Sequence, residues 1–132
     1  ARFKHRAGSS VLSGVDNPGM AAATLLYSLM ALKRPLVLAD EDKIDGVLET
    51  TCRMTRKDRE DAMAFAAWAS GQVADTSEIV RRFTPLWTSS LEQPQRQELV
   101  EMALAAAELG GPPTDAQALV VRRLSEALLA RG

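Results

Sequence analysis

The sequence predicts an all-α fold, a compact bundle of six or seven helices built from two related helical halves with pseudo-two-fold symmetry. Alanine, the residue with the highest helix propensity, occurs in runs at 21–23, 66–67 and 105–107. Apolar residues recur every three or four positions, and no useful length alternates with the period of two that is typical of a strand. At 132 residues the chain is expected to fold as one domain with its own core.

Two segments near the N-terminus set the expected domain boundary. Residues 1–18 are basic and then rich in Gly, Ser, Asn and Pro, so they are expected to form a flexible arm, or a basic arm that docks on an acidic partner or a membrane surface. Residues 19–132 are expected to form the helical domain. Within it, 19–39 is apolar nearly all round, which is typical of a central buried helix, and Pro35 should kink or break that helix.

Capping residues mark the next helices. Asp45 is expected to be the N-cap of a short helix, Thr55 opens the following helix, and Gly71 closes it. Asp75 and Glu78 have the spacing of a capping box at the start of another helix. That helix places its apolar side chains on one face with a 3.6-residue period: Ile79, Val80, Phe83, Leu86 and Trp87.

Two further helices complete the predicted bundle. Pro94 fits the first turn of a helix that "GGPP" stops, and Thr114 with Gln117 has capping-box spacing for the last helix. The last helix is expected to bury Ala116, Leu119, Val120, Leu124, Ala127 and Leu128. The shared core is expected to contain Leu26, Leu29, Phe83, Trp87, Leu99, Met102, Leu124 and Leu128.

Composition argues against several classes of function. The net charge of −1 argues against nucleic-acid binding. The only histidine, His5, lies in the predicted arm, so no Ser–His–Asp or Cys–His site can be built in the folded part. The single cysteine, Cys52, is expected to be a buried inert thiol; it excludes an internal disulfide and fits a cytoplasmic location. No catalytic or cofactor-binding residue is predicted, and the chain is expected not to be an enzyme.

The stretch "LADEDKIDGVLE", residues 38–49, holds five carboxylates within ten residues. Hard divalent cations such as calcium, magnesium or manganese take clustered oxygen ligands, so we predict a cation-binding turn with Asp40, Asp42, Asp45 and Glu49 as ligands. The alternative is a solvated helix start, whose dipole attracts acids. That alternative explains Asp45 and Glu49, but it leaves Asp40, Glu41 and Asp42 to repel one another without a counter-charge.

The acidic stretch also carries a family resemblance. Asp42 and Glu49 are seven residues apart, the spacing of a motif Asp-Gly, five residues, then Glu, although Lys43 replaces the glycine. In the second half Gly111 matches the motif glycine, while Gly110 and Gln117 stand where the two acids belong. Over residues 19–130 the chain resembles the tellurite-resistance TerB-like family.

The resemblance implies an all-helical fold of two halves and a non-enzymatic protein linked to tellurite resistance and stress response. It implies divalent-cation binding through the motif acids and work in complexes near the membrane, and a related helical unit occurs in membrane-anchored J-domain co-chaperones. We therefore expect a module that binds a divalent cation, or a basic protein partner, through 40–49. The alternatives are a metal-free structural interaction domain, co-chaperone-like, that binds through a helix groove, and an enzyme with a paired-carboxylate site.

Overall fold

The computed structural model describes residues 11–129, which contain helices and loops and no strand. The predicted all-α bundle is confirmed. After helical residues at 11–13 come six helices: α1 (Pro18–Ala31), α2 (Leu38–Thr50), α3 (Arg56–Ser70), α4 (Thr76–Ser90), α5 (Gln93–Glu108) and α6 (Asp115–Leu129). None of the helices in this range is both long enough and apolar enough to cross a membrane.

Helix α1 lies at the centre of the bundle, as its apolar sequence predicts. It packs against α2, α3, α4 and α5, and it is buried on nearly every side. Its start is capped by Asn17, whose Oδ1 accepts hydrogen bonds from the backbone N–H groups of Gly19 and Met20. The helix ends at Ala31 because a proline at position 35 would clash with the carbonyl four residues earlier.

Hydrogen bonds join the two helical hairpins, α1 with α2 and α5 with α6, near the ends of their helices. The buried Gln117 side chain at the start of α6 donates a hydrogen bond of 2.9 Å to the carbonyl of Leu29 in α1. In return, Lys33 after α1 reaches the C-terminal end of α5. Its Nζ donates to the carbonyl oxygens of Ala107, Leu109 and Gly111 at 2.8, 2.9 and 2.9 Å.

Helix α2 begins earlier than the sequence predicts. It starts at Leu38, so the predicted N-cap role of Asp45, inside the helix, is wrong. The helix start is closed instead by Asp40, whose Oδ2 accepts a hydrogen bond of 3.0 Å from the backbone N–H of Val37. A carboxylate at the third helical position accepts from the N–H of the N-cap residue, which is one of the two bonds of a capping box.

The register of the two halves also differs from the motif alignment. Gln117 is the third residue of α6, and its Oε1 accepts from the Thr114 N–H at 2.9 Å, as Asp40 accepts from the Val37 N–H in α2. Gln117 therefore corresponds to Asp40 and not to Glu49. The superposition of the two hairpins about a pseudo-two-fold axis stays a prediction.

The domain begins before residue 19. Leu12 is 2% exposed within the core, and Val15 packs against it, so these residues are not part of a free arm. The rest of the predicted arm, 1–10, lies outside the described residues, as do 130–132.

The predicted core is confirmed for seven of its eight residues, and Met102 is partly buried. In α6 the predictions for Ala116 and Ala127 are wrong, because both are exposed, and Leu119 is only partly buried. Gln117 is buried instead, since its hydrogen bond to α1 turns it inward.

Candidate functional site

The predicted acidic turn at 40–49 is a helix, so its carboxylates do not point to one place. Successive residues turn by about 100° around a helix axis, which sends Asp40 and Asp42 to nearly opposite sides of α2. Asp42, Asp45 and Glu49 share the outer side, while Asp40 is buried.

Asp40 is held by the protein itself. Arg34 forms a two-pronged ion pair with it, Nη1 to Oδ2 at 2.8 Å and Nη2 to Oδ1 at 3.1 Å, beside the hydrogen bond from Val37. The Arg34 guanidinium first, and the Val37 N–H second, hold the pKa of the Asp40 carboxyl below its usual value. Its side-chain hydrogen bonds are thus all with the loop that joins α1 to α2.

Two of the other carboxylates also have protein partners. Asp45 accepts a hydrogen bond of 3.0 Å from Arg59 Nε, and Arg59 also donates to the Met54 carbonyl, which ties α2 to the start of α3. Glu41 accepts from the Tyr27 hydroxyl at 3.4 Å. Burial, and then the charge of Glu41, raises the pKa of Tyr27.

Asp42 and Glu49 remain exposed on α2, two helical turns or about 10 Å apart along its axis. Within residues 11–129 neither forms an ion pair, and no group of three or more His, Cys, Asp or Glu side chains could hold a metal ion there. As arranged here, the four predicted ligands do not fit a single cation site. Cation binding by this helix stays a prediction.

Sequence reasoning missed the counter-charges of the acidic stretch. Arg34 precedes it on the far side of Pro35, and Arg59 lies in the next helix. The signal for Arg34 was its position six residues before Asp40, within reach once α2 is known to begin at Leu38. Nothing in the sequence indicated that Arg59 would meet Asp45.

A groove of about 560 Å³ opens between α2 and α5, with α1 beneath it. Leu26 and Met30 of α1 lie at its base. The α2 wall consists of Lys43, Ile44, Gly46, Val47 and Thr50, with Thr51 just after the helix, and the α5 wall consists of Glu98, Glu101, Met102, Ala105 and Ala106, with Leu109 just after. The groove is therefore apolar at its base and polar at its rim.

A second cavity of about 490 Å³ continues the groove toward the starts of α1 and α5. The two share Thr51, Glu98 and Met102 as lining residues. Cys52 lies in this extension and is half-buried; burial first, and the charge of Glu98 second, raises the pKa of its thiol. A raised pKa favours the neutral thiol over the thiolate. Cys52 is half-buried where the sequence predicted a buried side chain, and its inertness stays a prediction.

Gly46 stands in the middle of α2 on the groove wall. A Cβ atom built on it would meet no heavy atom within 4 Å, so the fold itself leaves room for a larger side chain. Glycine inside a helix costs roughly 0.5–1 kcal/mol relative to alanine. Its presence leaves the α2 backbone uncovered at this point of the groove.

Comparison with known proteins assigns no family to the chain. No protein-family model, no curated protein and no solved structure matches it. The TerB-like resemblance stays a prediction from the residues that carry it.

Proposed function

We propose that the chain is a non-enzymatic, TerB-like interaction module that binds a helix of a protein partner in the groove between α2 and α5. The observation that carries the proposal is a groove closed at its base by the nearly buried Leu26 and Met30 of the central helix. The partly exposed Val47, Met102 and Leu109 give its two walls apolar surface. Amphipathic helices bind protein grooves of this kind by laying their apolar face on the base.

The dimensions of the groove suit a short helix. Its walls run from Lys43 to Thr51 and from Glu98 to Leu109, which corresponds to about 12 and 17 Å of helix at 1.5 Å per residue. Two to three turns of a partner helix fit that length. Gly46 would let the partner backbone approach α2 closely, because no side chain stands between them.

The side chains of the groove suit binding more than chemistry. Met30 and Met102 line it, and methionine adapts its flexible thioether to irregular partner surfaces. The carboxylates of Glu98 and Glu101 are exposed at the rim, so neither has the buried setting that shifts the pKa of a catalytic acid or base. With the resemblance, the proposed setting is a cytoplasmic complex that serves tellurite resistance or stress response, with contact to the membrane through its partners.

The experiment fills the groove without disturbing the core. Gly46→Leu adds a side chain whose Cβ meets no heavy atom within 4 Å, on the wall of the groove. Because leucine has a higher helix propensity than glycine, the folding stability should be unchanged or rise by about 0.5 kcal/mol. Ala118→Leu, on the exposed side of α6, is the matched control. The probe is a labelled 14-residue amphipathic helix with leucines at i, i+3, i+4 and i+7, and its binding is measured by fluorescence anisotropy.

We expect Gly46→Leu to weaken binding of the peptide at least tenfold, while the control variant binds like the parent. Equal affinity of all three proteins would show that the peptide binds elsewhere. No binding to the parent at millimolar peptide would contradict the proposal.

A further inference from the structure

We infer that the partner helix is basic along one edge, with two Lys or Arg residues one turn apart facing α5. This inference rests on the proposed function. It names the chemistry of the partner, which the apolar base of the groove alone does not determine.

The α5 wall supplies the negative charges. Glu98 and Glu101 are both exposed, both line the groove, and lie one helical turn apart on the same side of α5. Across the described part of the chain neither forms an ion pair; Glu101 accepts only an amide hydrogen bond of 3.2 Å from Gln97. Two carboxylates that form no direct ion pair with a Lys or Arg between residues 11 and 129 are therefore available to a partner.

The α2 wall carries the opposite sign. Lys43 lines the groove there, is exposed, and has no ion pair among residues 11–129. Farther along, the extension is lined by one residue of each sign, Arg53 and Asp58. The two walls of the groove thus differ in charge, with two negative charges on the α5 wall and one positive charge on the α2 wall.

This asymmetry fixes how an amphipathic helix lies in the groove. A helix with basic residues on one edge gains from meeting α5 with that edge, and an acidic residue on its other edge can meet Lys43. The same helix turned around would place like charges together, which costs affinity. Charges at a rim act mainly on selectivity, while the apolar base supplies the bulk of the affinity.

The test uses two peptides with the same apolar face. One carries two arginines at i and i+4 on one edge, and the other carries two glutamates at the same positions. Each is titrated into the parent, into the double variant Glu98→Lys with Glu101→Lys, and into a control, Glu60→Lys with Glu126→Lys, which makes the same change of charge on exposed sites of α3 and α6. Binding is measured at low and at high salt.

We expect the parent and the control to prefer the arginine peptide by about three- to tenfold at low salt, and the preference to shrink at high salt. The groove variant should reverse it and prefer the glutamate peptide. Equal binding of both peptides to the parent would overturn the charge inference while leaving the groove as a binding site. Failure of both peptides to bind would overturn the groove itself. Dimerisation of the parent that Gly46→Leu abolishes would make a second copy the occupant, against this inference.

Discussion

The buried side-chain amide of Gln117 donates a hydrogen bond of 2.9 Å to the main-chain carbonyl of Leu29, 88 positions earlier in the chain. The same side chain accepts from the Thr114 N–H, so one residue both caps α6 and ties it to α1. These two bonds together require an amide, because a carboxylate could accept from Thr114 but could not donate to Leu29.

Replacing the amide of Gln117 by a carboxylate should therefore destabilise the fold. In Gln117→Glu the Leu29 carbonyl loses its donor and faces a buried charge, and the loss of an uncompensated buried hydrogen bond costs about 1–3 kcal/mol. Urea unfolding at pH 7 measures the loss, and at pH 4 it should be smaller because the protonated acid can donate. An equal loss at both pH values would contradict the hydrogen-bond assignment. Ala118→Leu serves as the neutral control.

Lys33 should act as a tethered cap for α5. In Lys33→Met the side-chain stem remains but the carbonyls of Ala107, Leu109 and Gly111 lose their donor. We expect a loss of about 1–2 kcal/mol, because a cation at a partly buried helix C-terminus contributes up to about 2 kcal/mol. Lys43→Met removes an exposed lysine that does not bind the carbonyls of a helix end, and it should change the free energy of unfolding by less than about 0.5 kcal/mol. Equal effects of the two variants would contradict the role of Lys33.

The ion pair of Asp40 should make stability depend on pH. Its folded pKa lies below the unfolded value of about 3.9, so the carboxylate stabilises the fold above that pH and the contribution is lost as the pH falls through the folded pKa. Asp40→Asn should cost about 1–2 kcal/mol at pH 7, discounted because Arg34 is half-exposed, and much less at pH 2–3.

Asp61→Asn is the matched control for this change, since its pair with Lys57 is exposed. Its effect on the free energy of unfolding should be under about 0.5 kcal/mol at either pH. If the difference between Asp40→Asn and the parent is the same at pH 7 and at pH 2–3, the proposed role of the Asp40 charge is wrong.

The predicted cation site is tested by the pair of acids left exposed on α2. If α2 binds calcium, magnesium or manganese, the parent melts at a higher temperature as the cation rises above its dissociation constant, and Asp42→Asn with Glu49→Gln removes that effect. Asp40 and Asp45 already pair with Arg34 and Arg59. We therefore expect the melting temperature of each protein to be the same in chelator and in millimolar cation. A cation-dependent rise in the parent alone would establish the site.

The sequence predicted correctly those features that depend on the residues of a single helix. The all-round apolar pattern of α1 predicted its central place, and Thr114 with Gln117 predicted the start of α6 correctly. It failed for α2, where five acids suggested a turn. The start of that helix depends on the hydrogen bonds of Asp40 with Arg34 and with the Val37 N–H, and helix propensity does not predict these bonds.

The groove could not be predicted for a related reason. Its walls lie about fifty residues apart in the chain, and they face each other only because α2 and α5 both pack on α1. Lys43, Gly46 and Val47 belong to the stretch that the sequence singled out for binding, but the acids drew attention to the neighbouring face of the same helix. Gly46 was a usable signal, since a glycine inside a helix calls for a reason.

The most direct test of the groove is a map of where a helix binds. The parent, labelled with ¹⁵N, is titrated with the arginine peptide, and backbone amide shifts are followed to saturation. We predict that the largest shifts fall at 43–51 and 98–109, with Leu26 and Met30 beneath them, and that α3 changes little. Largest shifts on α3 or α6, or saturation without shifts along α2 and α5, would contradict the account.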